Sequence, residues 1–196
     1  MKKCFMVFVS VGLLSVLSAG AAVITQDTWT VAGSLDGWGA TNSPGRNAPP
    51  YGTLTNTAGF LSITGGTNTL PPTKEDFIGE AGGNLAGNMV YTNVGAIQFS
   101  FLADANGTND LPGGLRVYLI STSTNITWYY DIPSVSAGWN TYYANLGFGA
   151  WYNTQGYNTQ AYFDSSLLDV DEVGILLQYQ SGVANQIYGL DNFQLL

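Results

Sequence analysis

Eight segments of this chain read as β-strands, and in the clearest of them apolar and polar side chains alternate residue by residue. That two-residue period limits the fold more than any other feature. In "GAIQFSFLA" (95–103), Ile97, Phe99 and Phe101 fall on one side and Gln98, Ser100 and Leu102 on the other. In "ITWYYDI" (126–132), Ile126, Trp128 and Tyr130 oppose Thr127, Tyr129 and Asp131. In "VGILLQYQ" (173–180), Val173, Ile175, Leu177 and Tyr179 oppose Leu176, Gln178 and Gln180. Strands are also expected at "TWTVAG" (28–33), "GFLSIT" (59–64), "LRVYLIS" (115–121), "WNTYYANL" (139–146) and "IYGLDNFQLL" (187–196). Turn-rich pieces such as "NSPGRNAPPYG", "DANGTNDLPGG" and "PSVSAG" separate them. Helical periodicity is nearly absent, and "SLLDVDEV" (166–173) reads as one short helical turn. Strands with one dry and one wetter face predict an all-β, two-sheet antiparallel β-sandwich.

Residues 1–21 stand apart from this pattern. Lys2 and Lys3 precede an apolar stretch from Phe5 to Leu17, and "SAGAAV" then offers Ala19-Gly20-Ala21 as a small-residue cleavage site. That is the layout of a signal peptide, whereas a membrane span usually needs about 20 apolar residues. The expectation is a cleaved leader followed by a single domain over 22–196. The product is then secreted or periplasmic and off the membrane after cleavage, with cell-surface association left open.

The remaining chain of about 175 residues is long enough for a real core. It has no cysteine once Cys4 leaves with the leader, and the whole sequence has no histidine. Disulfides, Ser-His-Asp or Cys-His catalysis and imidazole zinc sites are therefore excluded. The formal charge of −8 becomes −10 without Lys2 and Lys3, leaving Arg46, Lys74 and Arg116 against 13 acids. No basic patch exists for nucleic acid or for an anionic membrane. Asn, Thr, Ser, Gly and Tyr dominate instead, which suits neutral polar ligands and equally suits an extracellular scaffold.

Four stretches, taken in order, carry a family resemblance. "WTVAGSLDGWGA" (29–40) looks like an opening strand followed by an aspartate, glycine and tryptophan turn. "DFIGEAGGNLAGNMVYTNVGAIQFSFLAD" (76–104) looks like a glycine-rich loop leading into a long strand. "SAGWNTYYANL" (136–146) and "LLDVDEVGILLQY" with "YGLDNFQLL" look like later strands, the last carrying an aspartate before an apolar end. Together they resemble the galactose-binding-like jelly-roll domains of non-catalytic carbohydrate-binding modules from exported bacterial proteins. The resemblance implies a jelly roll and a neutral polysaccharide or glycan as partner. It also implies a structural calcium near the rim, held by an aspartate of the last strand, here Asp191. If the first and last strands lie side by side, Asp27 or Asp36 comes within reach. Calcium takes about 6–8 oxygen ligands, so several such groups are needed. Some exported relatives continue into a C-terminal sorting helix; the sequence ends at Leu196 without one, which gives no support to surface sorting by that route.

Sugars lay their C–H faces on aromatic rings while amides and carboxylates bond their hydroxyls, and rings with a polar handle suit half-wet positions. The densest such segment is "GFGAWYNTQGYNTQAYF" (147–163), which reads as a loop. There Trp151, Tyr152 and Tyr157 are candidate stacking rings, and Asn153 and Gln155 are candidate hydroxyl partners; the same rings could instead pin the loop to the sandwich. Trp128 or Tyr129 could alternatively line a face with Tyr118, Gln178 and Arg116. Trp29, Trp38 and Trp139 read as core or strand-end residues. Glycoside hydrolysis needs two carboxyl groups about one bond, and Glu75-Asp76 and Asp169-Asp171-Glu172 read instead as solvated turns. The leading expectation is a carbohydrate-binding domain that is not an enzyme. A ligand-free structural sandwich and a small glycan-active hydrolase or lyase are the alternatives.

Overall fold

The computed structural model describes residues 23–43, 49–57, 59–65, 74–89, 93–105, 107 and 111–196. The leader expected over 1–21 and the cation Arg46 lie outside them. No helix among the described residues is long and apolar enough to cross a membrane.

Two six-stranded antiparallel sheets form the domain, as the alternation predicts. The strands are β1 (Thr25–Asp27), β2 (Trp38–Thr41), β3 (Thr53–Thr57), β4 (Phe60–Thr64), β5 (Glu75–Ala81) and β6 (Ala96–Ala103). They continue as β7 (Gly114–Ser121), β8 (Ile126–Asp131), β9 (Gly138–Asn145), β10 (Trp151–Tyr152), β11 (Glu172–Gln178) and β12 (Ile187–Leu195). Sheet I runs β3-β4-β12-β6-β9, with β1 also pairing β12; sheet II runs β10-β8-β7-β11-β5-β2. One helix, α1 (Gln160–Leu167), spans the connection between β10 and β11.

Every face assigned from alternation holds. Ile97, Phe99 and Phe101 of β6, Ile126 and Trp128 of β8, and Val173, Ile175 and Leu177 of β11 all enter one core between the sheets. Aromatic rings fill the gap. Phe99 stacks on Phe193 with centroids 5.8 Å apart, Phe101 on Tyr188 at 5.7 Å, and Trp38 meets Trp29 and Phe193 edge-on. Offset and edge-to-face contacts of this kind add to area burial, which a disulfide-free sandwich needs.

The departures are local. "TWTVAG" is not a strand: β1 ends at Asp27, and Trp29 has a φ of 43°, turning the chain so that its indole drops into the core. The helix lies six residues earlier than expected. Thr159 accepts a hydrogen bond from the Tyr162 N–H as its N-cap, and only Phe163, Ser166 and Leu167 face inward. β5 was hidden by its acids. Asp76 and Glu80 share the inner face with Ile78, although the sequence suggests a solvated turn at Glu75-Asp76.

Those inward acids are matched by donors. Asp76 accepts from the backbone N–H of Tyr51 and Gly52 and from the Tyr179 hydroxyl, all at 2.8 Å. Glu80 accepts from the N–H of Asn84 and Leu85, and Asp27 from the Trp38 indole at 2.7 Å. Burial still raises all three carboxyls above their ordinary values of 3.8 and 4.5, because desolvation outweighs the donated bonds. The folded state thus holds these protons more tightly than the unfolded chain does. The resulting stabilisation is present near the ordinary carboxylate range and is lost as pH rises through the raised values. The melting temperature is expected to increase as the buffer is taken from neutral to about pH 5. A melting temperature that falls steadily over that window would contradict this account of the buried acids.

Candidate functional site

Alternation gives each sheet an outer face as well as an inner one. On sheet II the outer positions gather Phe77 of β5, Tyr118 and Ile120 of β7, Tyr129 of β8 and Leu176 of β11, with Tyr152 of β10 packed against them. This second apolar cluster is separated from the core by the thickness of the sheet. Phe77 meets Tyr118 edge-on at 5.1 Å, and Tyr129 lies 5.8 Å from Tyr152. Tyr118 lies down across the sheet because its neighbours on β11 and β5 are glycines. A methyl group on Gly79 would come within 2.3 Å of the Tyr118 hydroxyl oxygen, and one on Gly174 within 2.1 Å of the Ile78 carbonyl. The Tyr118 hydroxyl donates to Glu172 at 2.5 Å.

A polar row drawn from four strands runs beside these rings, passing over β11 between β7 and β5. Arg116 on β7 donates through Nε to Asp131 Oδ1 on β8 at 3.0 Å and through Nη1 to Glu75 Oε1 on β5 at 3.4 Å. Tyr152 on β10 donates to the same Asp131 oxygen at 2.9 Å. These groups reach solvent: the side chains of Arg116, Glu75 and Asp131 are 33%, 30% and 61% exposed. Burial alone disfavours the Arg116 charge, but Tyr152, Glu75 and Asp131 outweigh it and hold the guanidinium charged. Burial also pushes the Tyr129 and Tyr152 hydroxyls upward, helped for Tyr152 by its bond to Asp131, so both rings stay neutral donors. Arg116 Nη2, Asp131 Oδ2 and Glu75 Oε2 have no partner among the described residues. The row therefore offers one fixed cationic donor and two acceptors alongside aromatic surface.

The loop segment is placed differently from the expectation. Trp151 is 4% exposed, with its ring against Tyr130 and Phe163 and its indole N–H donating to the Asn145 carbonyl at 2.7 Å. Trp128 is fully buried and donates to Ser166. Neither presents a ring face to a ligand, because β8 and β10 turn these positions inward. Asn153 is buried and spends its carbonyl oxygen on the N–H of Gln155 and Tyr157. Gln155 latches the loop to the β7–β8 hairpin, accepting from Thr127 N–H and donating to the Asn125 carbonyl. Tyr157 is exposed, and with Tyr162, 5.0 Å away, it lines a cleft of about 520 Å³ with Thr124, Asn125, Ile126 and Gln155. Tyr152 alone joins the sheet II face, where Arg116, Tyr118, Tyr129 and Gln178 also stand. Glu75 and Asp131 were missed there. Their opposition to Arg116 is a matter of register, with Arg116 directly across from Asp131.

Asp191 is not brought beside the other two aspartates expected to hold calcium, whereas Asp36 lies near enough to Asp27 for its charge to help raise the Asp27 carboxyl. The first and last strands do pair, but Asp27 stands opposite Phe193 and shares its inward side, while Asp191 stands opposite Ser100 on the outer side. Asp191 accepts from the N–H and side-chain amide of Asn192; Asp36 accepts from Ser34 within its own turn. Among the described residues no group of three acidic, histidine or cysteine side chains has metal-binding geometry. The acids named for calcium do not fit a shared site. Alternation alone would leave Asp191 on the side of Phe193 and Asp27; the bulge at Asn192 turns it to the outer side of sheet I, and Asp36 lies apart in the turn before β2.

No protein-family model matches the sequence, and no curated protein matches it. Solved structures do resemble the fold. One is the family 11 carbohydrate-binding module of the cellulosomal cellulase Lic26A-Cel5E of Clostridium thermocellum. It is 14% identical with a TM-score of 0.52, and the match covers 90% of this chain and 96% of that one. The L4b domain of human laminin alpha-2 is 9% identical with a TM-score of 0.54, over 88% of this chain and 98% of that one. An exo-beta-agarase gives 7% identity and a TM-score of 0.58 over 86% of this chain, which spans only 24% of the agarase chain. At such identities the likeness is one of fold, a two-sheet antiparallel β-sandwich.

Because Trp151 is core, Trp151→Ala is expected to cost about 3–5 kcal/mol of stability, the usual range for emptying a buried tryptophan site. Denaturant unfolding of the variant measures this. A loss below about 1 kcal/mol would mean that the ring is not packed as described.

Proposed function

We propose that this chain is an exported, non-catalytic carbohydrate-binding domain that holds a neutral polysaccharide or glycan on the outer face of sheet II. The observation that carries the reading is the half-exposed row of Tyr152, Asp131, Arg116 and Glu75 set beside aromatic rings. Tyr152 supplies a surface for the C–H face of a sugar ring. The unpartnered oxygens of Asp131 and Glu75 accept from sugar hydroxyls, and Arg116 donates to them. Charge-assisted bonds of this kind are the stronger ones, and they favour a ligand presenting paired hydroxyls. The similarity in fold to a domain described as a carbohydrate-binding module supports the reading, as does the signal-like start of the sequence. A net charge of −8 over the whole chain speaks against polyanionic ligands. The absence of histidine and of any cysteine beyond Cys4 removes the commonest nucleophile–base pairs.

The ligand-free scaffold is the second reading, and the loop favours it. Asn153 and Gln155, the residues best suited by composition to meet sugar hydroxyls, are spent on backbone groups of their own neighbourhood. A panel of soluble and insoluble neutral glycans separates the two. Saturable binding is expected, weakened about tenfold by Tyr152→Ala and by Arg116→Ala, the scale of one lost stacking or hydrogen-bonding group. The melting temperatures of both variants should stay close to wild type. Retention on no member of the panel sinks the binding proposal, and release of sugar products from any member replaces it with an enzyme.

A further inference from the structure

Sheet I has an outer face of its own, and its chemistry is unexplained by the sheet II site. Trp139 opens β9 and is 46% exposed, while Tyr143, four residues along the same face, is 51% exposed. Strand rise separates the two by about 13 Å. The Trp139 ring is held rather than free. It meets Phe60 edge-on at 5.3 Å, and its Cη2 atom lies over Gly189, where a methyl group would approach to 3.0 Å. Glycine at that position on β12 lets the indole lie down on the sheet.

Beside this ring is a cleft of about 320 Å³ lined by Ser100, Asn140, Thr141, Asp191 and Asn192 as well as Trp139. It exists because β12 breaks register between Asp191 and Gln194, with Asn192 taking a φ of 49°. The bulge turns the Asp191 carboxylate into the cleft's lining, and the bonds from Asn192 fix its orientation. Ser100 Oγ, Thr141 Oγ1 and Trp139 Nε1 have no partner among the described residues. Further along the face, Gln98, Gln194 and Gln26 join their amides in a row across three strands. Neither described cation is on this face: Lys74 sits over Tyr51, and Arg116 belongs to sheet II. The charged side chain lining the cleft is the Asp191 carboxylate, which repels an anionic ligand.

We propose that the outer face of sheet I is a second saccharide-binding surface, on which Trp139 stacks a neutral sugar ring whose hydroxyls are met by Ser100, Thr141 and Asp191. The domain is then two-sided, with sites on opposite faces that do not share a residue. This surface stands independently of the sheet II reading.

The tryptophans themselves provide the test. Trp29, Trp38, Trp128 and Trp151 are all at most 4% exposed, so collisional quenching of fluorescence by acrylamide reports on Trp139. The probes are soluble β-glucan, mannan, xylan, galactan and agaro-oligosaccharides. At least one should abolish the quenchable emission in wild type and equally in Tyr152→Ala, which lacks the ring of the other face. Trp139→Ala should remove one binding equivalent in calorimetry whether or not the sheet II site binds, and Thr141→Ala should weaken that equivalent about tenfold. Unchanged quenching with every saccharide overturns the proposal, even where the sheet II site binds. Protection that depends on protein concentration without saccharide also overturns it, in favour of a second copy of this chain. Protection by choline rather than by sugars overturns it in favour of a cation.

Discussion

The constraint on which the rest of this structure depends is that each strand residue must choose a side. With no disulfide available, the two sheets cohere by filling the space between them with aliphatic side chains and ten rings: Trp29, Trp38, Phe99, Phe101, Trp128, Trp151, Phe163, Tyr179, Tyr188 and Phe193. A tryptophan on an inward position is spent on stability, whatever its neighbours suggest about ligands. Trp151 and Tyr152 make the point at adjacent residues. One donates its indole N–H into the framework; the other stands on the outer face and donates to Asp131.

The fold was legible because alternation is a local signal that the final packing respects. Seven of the eight expected strands lie within one or two residues of where they form, and the three faces assigned are correct; β1, β2, β3, β5 and β10 were not expected as strands. The misses share a cause, which is a tertiary partner invisible in one dimension. β5 carries three acids in seven residues and reads as a turn, yet Asp76 and Glu80 are buried on backbone donors from distant segments. Helix α1 has only three inward residues, too weak a stripe to outweigh the polar composition around it. The candidate site was half legible. Tyr152, Arg116, Tyr118, Tyr129 and Gln178 were visible as possibilities, but the composition of 147–163 pointed to a loop whose amides hold itself together. Glu75 and Asp131 enter only through cross-strand register. Adjacent first and last strands were legible too, but the bulge in β12, which turns Asp191 outward while Asp27 faces inward, was not.

Electrostatics reinforces the division between the two outer faces. Sheet II gathers its charges into a compensated row, where Arg116 is shared by two carboxylates and the aromatic cluster lies alongside. Sheet I carries a fixed indole, hydroxyls and a ladder of amides, with one isolated carboxylate at a bulge. In the proposed reading both meet neutral, hydroxyl-rich partners, by different chemistry. The carboxyls drawn inside are held by donors at the sandwich edge and take no part in either face.

The central claim is that the polar row on sheet II, and not the aromatic loop, is where a glycan is held. Backbone amide shifts followed by NMR during titration with a soluble glycan that binds test it most directly. The account predicts that the largest perturbations cluster at Glu75, Arg116, Asp131 and Tyr152, on β5, β7, β8 and β10 of sheet II. Perturbations confined to residues 153–162, with β7 and β8 silent, would contradict it.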